Sequence, residues 1–182
     1  MTQTATGRPG KIVCVGRNYS EHAKELGNAV PKEPLLFLKP PSSVIHEGES
    51  IVLPPQSNQV EFEGEIAVVV GSRLSHATAT AAAKAIRGIC ALNDVTARDL
   101  QKSDGQWTRA KGFDSFCPLG PWIETDLDPQ AFADGVKIQT FLNGDVVATG
   151  TPAGVGRLAA GDVVEVEIPG FSKVRNPVTN TV

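Results

Sequence analysis

The chain of 182 residues has no apolar run of the roughly 20 residues that a membrane-spanning helix needs. Its N-terminus lacks the apolar core of a secretory signal peptide. Runs of five or more basic residues are also absent, and the net charge is −3. Such a charge balance argues against binding to nucleic acid or to a membrane surface. We therefore expect a cytoplasmic protein whose partners include neither nucleic acid nor membrane.

Cysteine is scarce, with three residues far apart in the sequence: Cys14, Cys90 and Cys117. No CxxC pair is present, which argues against a structural zinc site. Two of the three lie in apolar, strand-like contexts. We expect buried free thiols in a reducing compartment.

Short β-branched runs, separated by glycine and proline, make up most of the remaining sequence. They predict strands at 11–15, 35–38, 51–53, 60–70, 89–92, 120–123, 137–142, 146–148 and 163–168. Helices are expected at 20–26 and 78–87, and a helical turn or short helix at 97–103. This pattern predicts a mostly β fold with peripheral helices (α+β), built on a rolled or barrel-like sheet. Residues 1–10 are expected to form a flexible tail before a single domain at 11–182.

Three glutamates, Glu61, Glu63 and Glu65, alternate along one predicted strand. Alternate residues of a strand share a face, so the three carboxylates repel one another unless a cation lies between them. Asp94 ends another apolar run and offers a further carboxylate. Carboxylates from two strand ends suit Mg²⁺ or Mn²⁺. The alternative interpretation is that the three glutamates form the solvated face of an edge strand.

His22 and Glu25 are three residues apart in a predicted helix and so lie on one face. Glu25 would then orient His22 as a general base, although an exposed pair is the simpler interpretation. Lys111, in a loop flanked by glycine and aromatic residues, is a candidate to stabilise negative charge on a substrate. An ordinary surface lysine is the alternative.

Arg17, Lys39 and Arg98 are further candidates to bind a carboxylate, and each also suits a solvated surface position. The glycine-rich segment 148–156 predicts a tight loop whose backbone N–H groups can face an anion, or a plain turn between strands. Gly161-Asp162 predicts a hairpin turn.

Taken in order, seven segments resemble the fumarylacetoacetate hydrolase family over nearly the whole chain. They are VGRNY at 15–19, LFLKP at 36–40, EFEGE at 61–65, NDVTARDLQ at 93–101, AKGFD at 110–114, CPLGP at 117–121 and TGTPAGVG at 149–156. Each segment alone is weak, but seven in order are specific.

The resemblance implies a mixed β-roll and a homodimer with one divalent metal ion, Mg²⁺ or Mn²⁺, in each subunit. It implies metal ligands Glu63, Glu65 and Asp94. It also implies catalytic roles for His22, Glu25 and Lys111. The residues implied to line the substrate site are Arg17, Tyr19, Lys39, Arg98, Gln101 and Thr151.

The implied substrate is a small 2-oxo acid. In an acylpyruvate, His22 with Glu25 would activate water to attack the distal carbonyl, and the C–C bond would break to leave a metal-stabilised pyruvate enolate. Loss of CO₂ from oxaloacetate gives the same enolate. From the resemblance we therefore expect a C–C hydrolase of acylpyruvates. An oxaloacetate-type decarboxylase, a hydratase or isomerase of aromatic-catabolism 2-oxo acids, and an inactive metal-binding homologue remain as alternatives.

One departure from the family pattern lies after Asn143-Gly144, which runs directly into Asp145. Members of the family carry about thirty further residues here, including a strand and a helix near the metal site. We interpret the join at 144/145 as a missing segment. A true deletion would remove part of the pocket wall.

Overall fold

The computed structural model describes residues 2–3, 9–18, 31, 33–124, 146–151, 154–169 and 171–181. The expected helix at 20–26, the strand at 137–142 and the join at 144/145 lie outside these ranges. So do most of the expected tail and three candidate site residues, Tyr19, His22 and Glu25. Within the described ranges, no helix is long and apolar enough to cross a membrane.

Strands predominate, as the sequence predicts. In the described part of the chain they are β1 (Thr2–Gln3), β2 (Ile12–Gly16), β3 (Leu35–Lys39), β4 (Val44–Ile45), β5 (Ile51–Leu53), β6 (Val60–Phe62), β7 (Gly64–Val70), β8 (Ile86–Asn93), β9 (Thr96–Ala97), β10 (Cys117–Pro118), β11 (Trp122–Glu124), β12 (Val146–Ala148), β13 (Gly156–Arg157), β14 (Val163–Ile168) and β15 (Ser172–Asn180). Among the described residues, three α-helices accompany them, α1 (Ala79–Lys84), α2 (Arg98–Asp104) and α3 (Thr108–Lys111), with a 3₁₀ turn at Pro41–Ser43.

A seven-stranded mixed sheet in the order β1-β11-β8-β7-β12-β2-β3 forms the centre of the molecule. Its pairs are antiparallel except for β12 and β2, which are parallel. Smaller sheets, β13-β6-β9, β14-β15-β5 and β10-β4, extend it. The prediction of a mostly β fold with peripheral helices is confirmed.

Both faces of β7, inside the large sheet, pack into hydrophobic core. Ala67 and Val69 of β7 belong to one core cluster, while Val68 and Val70 belong to the cluster on the opposite face, as the two-residue period of a strand requires. The first cluster also contains all three cysteines, which are buried and free, as predicted. Burial raises the pKa of the Cys117 thiol to about 12, so this thiol is not reactive at neutral pH.

Three local predictions need correction. The helix expected at 78–87 ends at Lys84 because Ile86 pairs with Val70 and begins β8; pairing with a central strand overrides the alanine-rich helical preference. Lys111 does not lie in a loop but ends α3.

Gly161-Asp162 forms a turn but not a hairpin, because β14 pairs with β15 through the later turn between 168 and 172.

The long strand expected at 60–70 is interrupted at Glu63. β6 pairs with β9 and β13 in a small sheet, whereas β7 pairs with β8 and β12 in the large one. The chain therefore changes sheets between Phe62 and Gly64. This change places Glu63 at the junction of the two sheets, beside the end of β8.

Candidate metal centre and active site

Main-chain hydrogen bonds bring the ends of β7 and β8 together. The N–H of Asp94 donates to the carbonyl oxygen of Glu63 at 2.8 Å, and the N–H of Glu63 donates to the side-chain oxygen of Asn93 at 3.0 Å. Glu65 pairs with Leu92, the residue two before Asp94. The positions of the three acidic residues are therefore fixed by strand pairing and do not depend on a flexible loop.

Glu63, Glu65 and Asp94 form one buried carboxylate cluster. Each offers an oxygen, and these three oxygens lie within 4.8 Å of one another. All three residues are at most 5% exposed. Buried carboxylates this close require positive charge, and a set of hard oxygen donors fits Mg²⁺ or Mn²⁺.

Glu61, the first of the alternating glutamates, does not join the cluster. Its carboxylate accepts from the Nε of Arg98 at 2.9 Å and from the side chain of Gln59 at 2.7 Å. The expectation that Glu61, Glu63 and Glu65 share a single strand face is therefore wrong, since the strand is interrupted at Glu63. The third carboxylate of the cluster comes from Asp94 instead.

Lys111 bridges two members of the cluster. Its Nζ donates to Oε2 of Glu63 at 2.9 Å, to Oδ2 of Asp94 at 2.6 Å and to the hydroxyl of Thr96 at 2.8 Å. The side chain is 2% exposed, which excludes an ordinary surface lysine. Burial alone would lower the pKa of Lys111, but the charges of Asp94 and Glu63 outweigh burial and raise it above its ordinary value.

Lys39 holds the other oxygen of Asp94. Its Nζ donates to Oδ1 of Asp94 at 2.6 Å and to the carbonyl oxygen of Val95 at 3.2 Å. Burial acts to raise the pKa of Asp94, but Lys111 and Lys39 together lower it. The other described candidates for substrate binding line the cavity, but Lys39 is not on its wall. Lys39 orients Asp94 from behind this wall.

Glu65 has the least positive charge near it. Its Oε2 accepts from the backbone N–H of Gly150 at 2.9 Å, so the glycine-rich loop does face an anion, and that anion is a side chain of the protein itself. Burial raises the pKa of Glu65 well above its ordinary value, and the charges of Asp94 and Glu63 raise it further.

The cluster opens onto a cavity of about 620 Å³. Of the candidates from the sequence, the residues that line it are Arg17, Glu63, Glu65, Asp94, Arg98, Gln101, Lys111 and Thr151. The hydroxyl of Thr151 donates to the carbonyl oxygen of Gly64 at 3.0 Å. The structure thus brings these candidates together around one cavity, and Lys39 joins them through its bond to Asp94 without lining the wall.

An aromatic wall formed by Phe37 and Trp107 was not predicted from the sequence. Their rings meet edge to face, with centroids 5.3 Å apart. The guanidinium carbon of Arg17 lies 5.8 Å from the centroid of Trp107, and the Nζ of Lys111 lies 4.9 Å from that of Phe37. A signal was present in the alternation of LFLK at 36–39, which places Phe37 and the leucines on opposite faces of β3.

Arg17 has a positive φ of 56°, which is uncommon for a residue other than glycine. In the described part of the chain, Arg17 and Lys102 both line the cavity and make no ion pair with a carboxylate. The cavity therefore has a buried anionic end and a cationic outer part.

Comparison with known proteins places this site in a family. The sequence model described as "Fumarylacetoacetate (FAA) hydrolase C-terminal" matches residues 11–144 and 136–179. An uncharacterised protein of Methanocaldococcus jannaschii is 44% identical over 198 aligned positions, which cover 94% of this chain and 84% of that protein. Since 94% of 182 residues is about 171, about 27 positions of that alignment have no counterpart here. The join at 144/145 itself lies outside the described residues, and a missing segment there stays a prediction.

Two further relatives have named activities. The human protein named mitochondrial oxaloacetate tautomerase FAHD2A is 39% identical over 94% of this chain and 67% of its own length. The crystal structure of 5-carboxymethyl-2-hydroxymuconate delta-isomerase from Mycobacterium smegmatis superposes with a TM-score of 0.82 at 38% identity, covering 96% of this chain and 80% of that one. The family match, the fold and the identities agree with the resemblance noted from the sequence. This chain belongs to the fumarylacetoacetate hydrolase family.

Proposed function

We propose that this protein is a divalent-metal-dependent enzyme that stabilises the enolate of a small 2-oxo acid, and that its reaction is hydrolysis of a C–C bond in acylpyruvates. The observation that carries the proposal is the buried cluster of Glu63, Glu65 and Asp94, bridged by Lys111 and open to a cavity. A protein that binds metal only for structure would not need a cavity of about 620 Å³ over the site.

The three carboxylates would hold Mg²⁺ or Mn²⁺. When bound, that ion would supply Lewis-acid stabilisation of negative charge on the oxygens of the 2-oxo acid. Lys111 lines the same cavity, and its ammonium, which donates to Glu63, Asp94 and Thr96, would reach an oxyanion on the substrate once one of these three bonds is released. The wall of Phe37 and Trp107 would pack against the planar, conjugated part of the substrate and exclude water from it.

Hydrolysis requires a water molecule to attack the distal carbonyl carbon. The bond between this carbon and C3 of the pyruvate unit then breaks, and its electron pair forms the enolate. Protonation at C3 gives pyruvate, and the acyl fragment leaves as a carboxylic acid. His22 with Glu25, implied by the family resemblance, is the proposed base for the water.

Tautomerisation or isomerisation is the second candidate, because the relatives at 38–39% identity are named as an oxaloacetate tautomerase and a hydroxymuconate isomerase. These reactions move a proton through the same kind of enolate and need no attack by water. A decarboxylase of oxaloacetate would use the enolate as well. The described site suits all three reactions because they share the stabilised intermediate.

Acetylpyruvate turnover is the direct test. It is measured as the loss of the enol absorbance, first with Mg²⁺ and then with excess EDTA. Pyruvate production, measured with lactate dehydrogenase and NADH, should equal acetylpyruvate consumption. Oxaloacetate separates the alternatives: decay of its enol form without pyruvate indicates tautomerisation, and pyruvate with CO₂ indicates decarboxylation. No metal-dependent reaction with either compound would contradict the proposal.

A matched pair of variants controls the metal requirement. Glu65→Gln removes one proposed ligand, while Glu165→Gln removes a glutamate whose side chain is 40% exposed and pairs with Lys173 at 3.5 Å. Turnover should be lost in the first variant and retained in the second. The homodimer that the resemblance implies is also part of the proposal, and sedimentation of the full chain tests it.

A further inference from the structure

Most of the oxygens that a metal ion would use already accept hydrogen bonds from the protein. Both oxygens of Glu63, both oxygens of Asp94 and Oε2 of Glu65 accept bonds from groups in the described part of the chain. An entering ion must therefore share these oxygens with the existing donors or displace one of them. The donors differ in their positions relative to the cavity.

Arg98 and Lys39 bind from the flanks of the cluster. Arg98 lines the cavity as Lys111 does, but it uses its Nη2 on Oε1 of Glu63 and its Nε on Glu61, so it contacts one cluster carboxylate and is anchored to another carboxylate outside the cluster. Lys39 is anchored to the Val95 carbonyl and is absent from the cavity wall. Both cations hold the carboxylates in place without lying between them.

Lys111 has a different position. Its ammonium lies between Glu63 and Asp94, within hydrogen-bond distance of both, and it lines the cavity through which an ion would enter. We propose that Lys111 is the internal counter-cation of the cluster, which holds Glu63 and Asp94 in the metal-free protein and competes with the divalent ion for the same two carboxylates.

The charges of the surroundings support this role. Four carboxyl groups, Glu61, Glu63, Glu65 and Asp94, are buried with three cations, Lys39, Arg98 and Lys111. Without Lys111, Glu63 and Asp94 would face each other with less compensation, and isolated buried charge is strongly destabilising. With Lys111 present, a divalent ion binds beside a like charge, which lowers its affinity. One ammonium would thus hold the cluster together without a metal ion and keep a bound ion exchangeable.

The inference rests on the proposed metal site but not on the reaction. It predicts that Lys111→Met, which is one atom shorter than lysine and removes its charge, binds Mn²⁺ more tightly than the wild type. We expect a dissociation constant at least about tenfold lower, measured on the full chain by the electron paramagnetic resonance signal of free Mn²⁺. The metal-free variant should melt at a lower temperature than the wild type, and saturating Mn²⁺ should raise its melting temperature by more.

Lys39→Met is the matched control, because it removes a lysine from the same carboxylate at the same 2.6 Å. Its gain in Mn²⁺ affinity should be smaller than that of Lys111→Met, since Lys39 contacts one cluster carboxylate and lies outside the cavity wall. Equal gains would overturn the proposal, because they would show that any nearby charge has the same effect. Unchanged or weaker binding by folded Lys111→Met would overturn it as well.

Thr96→Val provides a second test if Lys111→Met does not fold. Thr96 is buried and accepts the third hydrogen bond of the ammonium at 2.8 Å, so the change loosens Lys111 without altering the charge. Tighter Mn²⁺ binding by Thr96→Val would support the competition, and unchanged or weaker binding would contradict it. If neither the wild type nor any variant binds Mn²⁺, both the proposed function and this inference are wrong. If they bind Mn²⁺ but the predicted differences in affinity are absent, only the inference is wrong.

Discussion

Arg98 donates from Nη2 to Oε1 of Glu63 at 2.6 Å, at the point where the chain leaves the small sheet of β6 and enters the large sheet with β7. Its Nε also donates to Glu61, two residues earlier, at 2.9 Å. Burial alone would lower the pKa of Arg98, but Glu63 and Glu61 raise it. One guanidinium therefore fixes the carboxylates on either side of Phe62, which makes Arg98 a positioning residue for the cluster.

Arg98→Met should lower the free energy of unfolding by about 3–5 kcal/mol, because it removes the cation that contacts the buried Glu61 and leaves Glu63 with Lys111 alone. Urea denaturation of the metal-free protein measures this change. The control is Arg109→Met, whose guanidinium is 57% exposed and pairs with Asp104 at the surface; little change is expected there. Equal stabilities of the two variants would show that Arg98 does not hold the cluster.

Glu65 should make the metal-free protein sensitive to pH. A carboxyl group whose pKa is raised by folding contributes stability that is fully present below its unfolded pKa of about 4.5 and is lost as the pH rises through the folded pKa. Glu65→Gln, neutral at every pH, should remove this loss. In EDTA, melting temperatures measured upward from pH 4.5 should therefore fall less for Glu65→Gln than for the wild type.

Asp94→Asn should behave in the opposite way in the same experiment. The pKa of Asp94 is lowered by Lys111 and Lys39 against the effect of burial, so the charged form stabilises the fold, and this stability is lost only as the pH falls. Its neutral variant should be less stable than the wild type at neutral pH. If Glu65→Gln and Asp94→Asn lose equal stability there, the assignment of opposite pKa shifts is wrong.

The sequence was sufficient to locate several strands and the acidic cluster. β5 and β14, expected at 51–53 and 163–168, have those bounds in the structure, because β-branched residues there are bounded by glycine or proline. Asp94 was placed at a strand end because its preceding residues are apolar. By contrast, β15 was missed, since its buried positions include Ser172 and Asn176, and hydrophobic alternation does not mark buried polar residues.

The roles of the cations could not be obtained from the sequence. Lys39, Arg98 and Lys111 each have a plain surface interpretation when considered alone. Their burial follows from partners 15 to 55 residues away, such as Asp94 for Lys39, Glu63 for Arg98 and Thr96 for Lys111. Pairing at this separation depends on the sheet arrangement, which local patterns do not encode. The family resemblance implies that Lys39 lines the substrate site. The structure shows instead that Lys39 orients Asp94 and is not part of the cavity wall.

Gly16 leaves room for the indole of Trp107. A Cβ at this position would lie 2.6 Å from Cζ3 of Trp107, too close for any real contact. Gly16→Ala should therefore displace the indole, change the tryptophan fluorescence and raise KM. Gly16→Ala combined with Trp107→Phe, which removes the clashing ring, should recover part of the loss in a double-mutant cycle. Additive effects of the two changes would contradict a direct steric contact.

His22→Ala tests the base that the family resemblance implies. Metal affinity should be unchanged, because His22 is not among the proposed ligands. Acetylpyruvate hydrolysis should fall by about 10²–10⁴-fold, the usual contribution of a general base. Tautomerisation of oxaloacetate, measured on the same variant, needs no activated water, so its retention would assign His22 to the hydrolytic step. Unchanged hydrolysis would exclude His22 as the base.

Arg17 should select substrates that carry a second carboxylate. Its guanidinium lies against Trp107 in the wall of the cavity and pairs with no carboxylate of the described chain. A substrate held at the metal centre by its 2-oxo acid group would extend along the aromatic wall toward this cation. Arg17→Gln should raise KM for fumarylpyruvate about tenfold or more, the value of a hydrogen bond to a charged group. Crotonylpyruvate, in which a methyl group replaces the terminal carboxylate, should show little change with the same variant. Equal increases in KM for both compounds would mean that Arg17 supports the wall of the cavity and does not bind the second carboxylate.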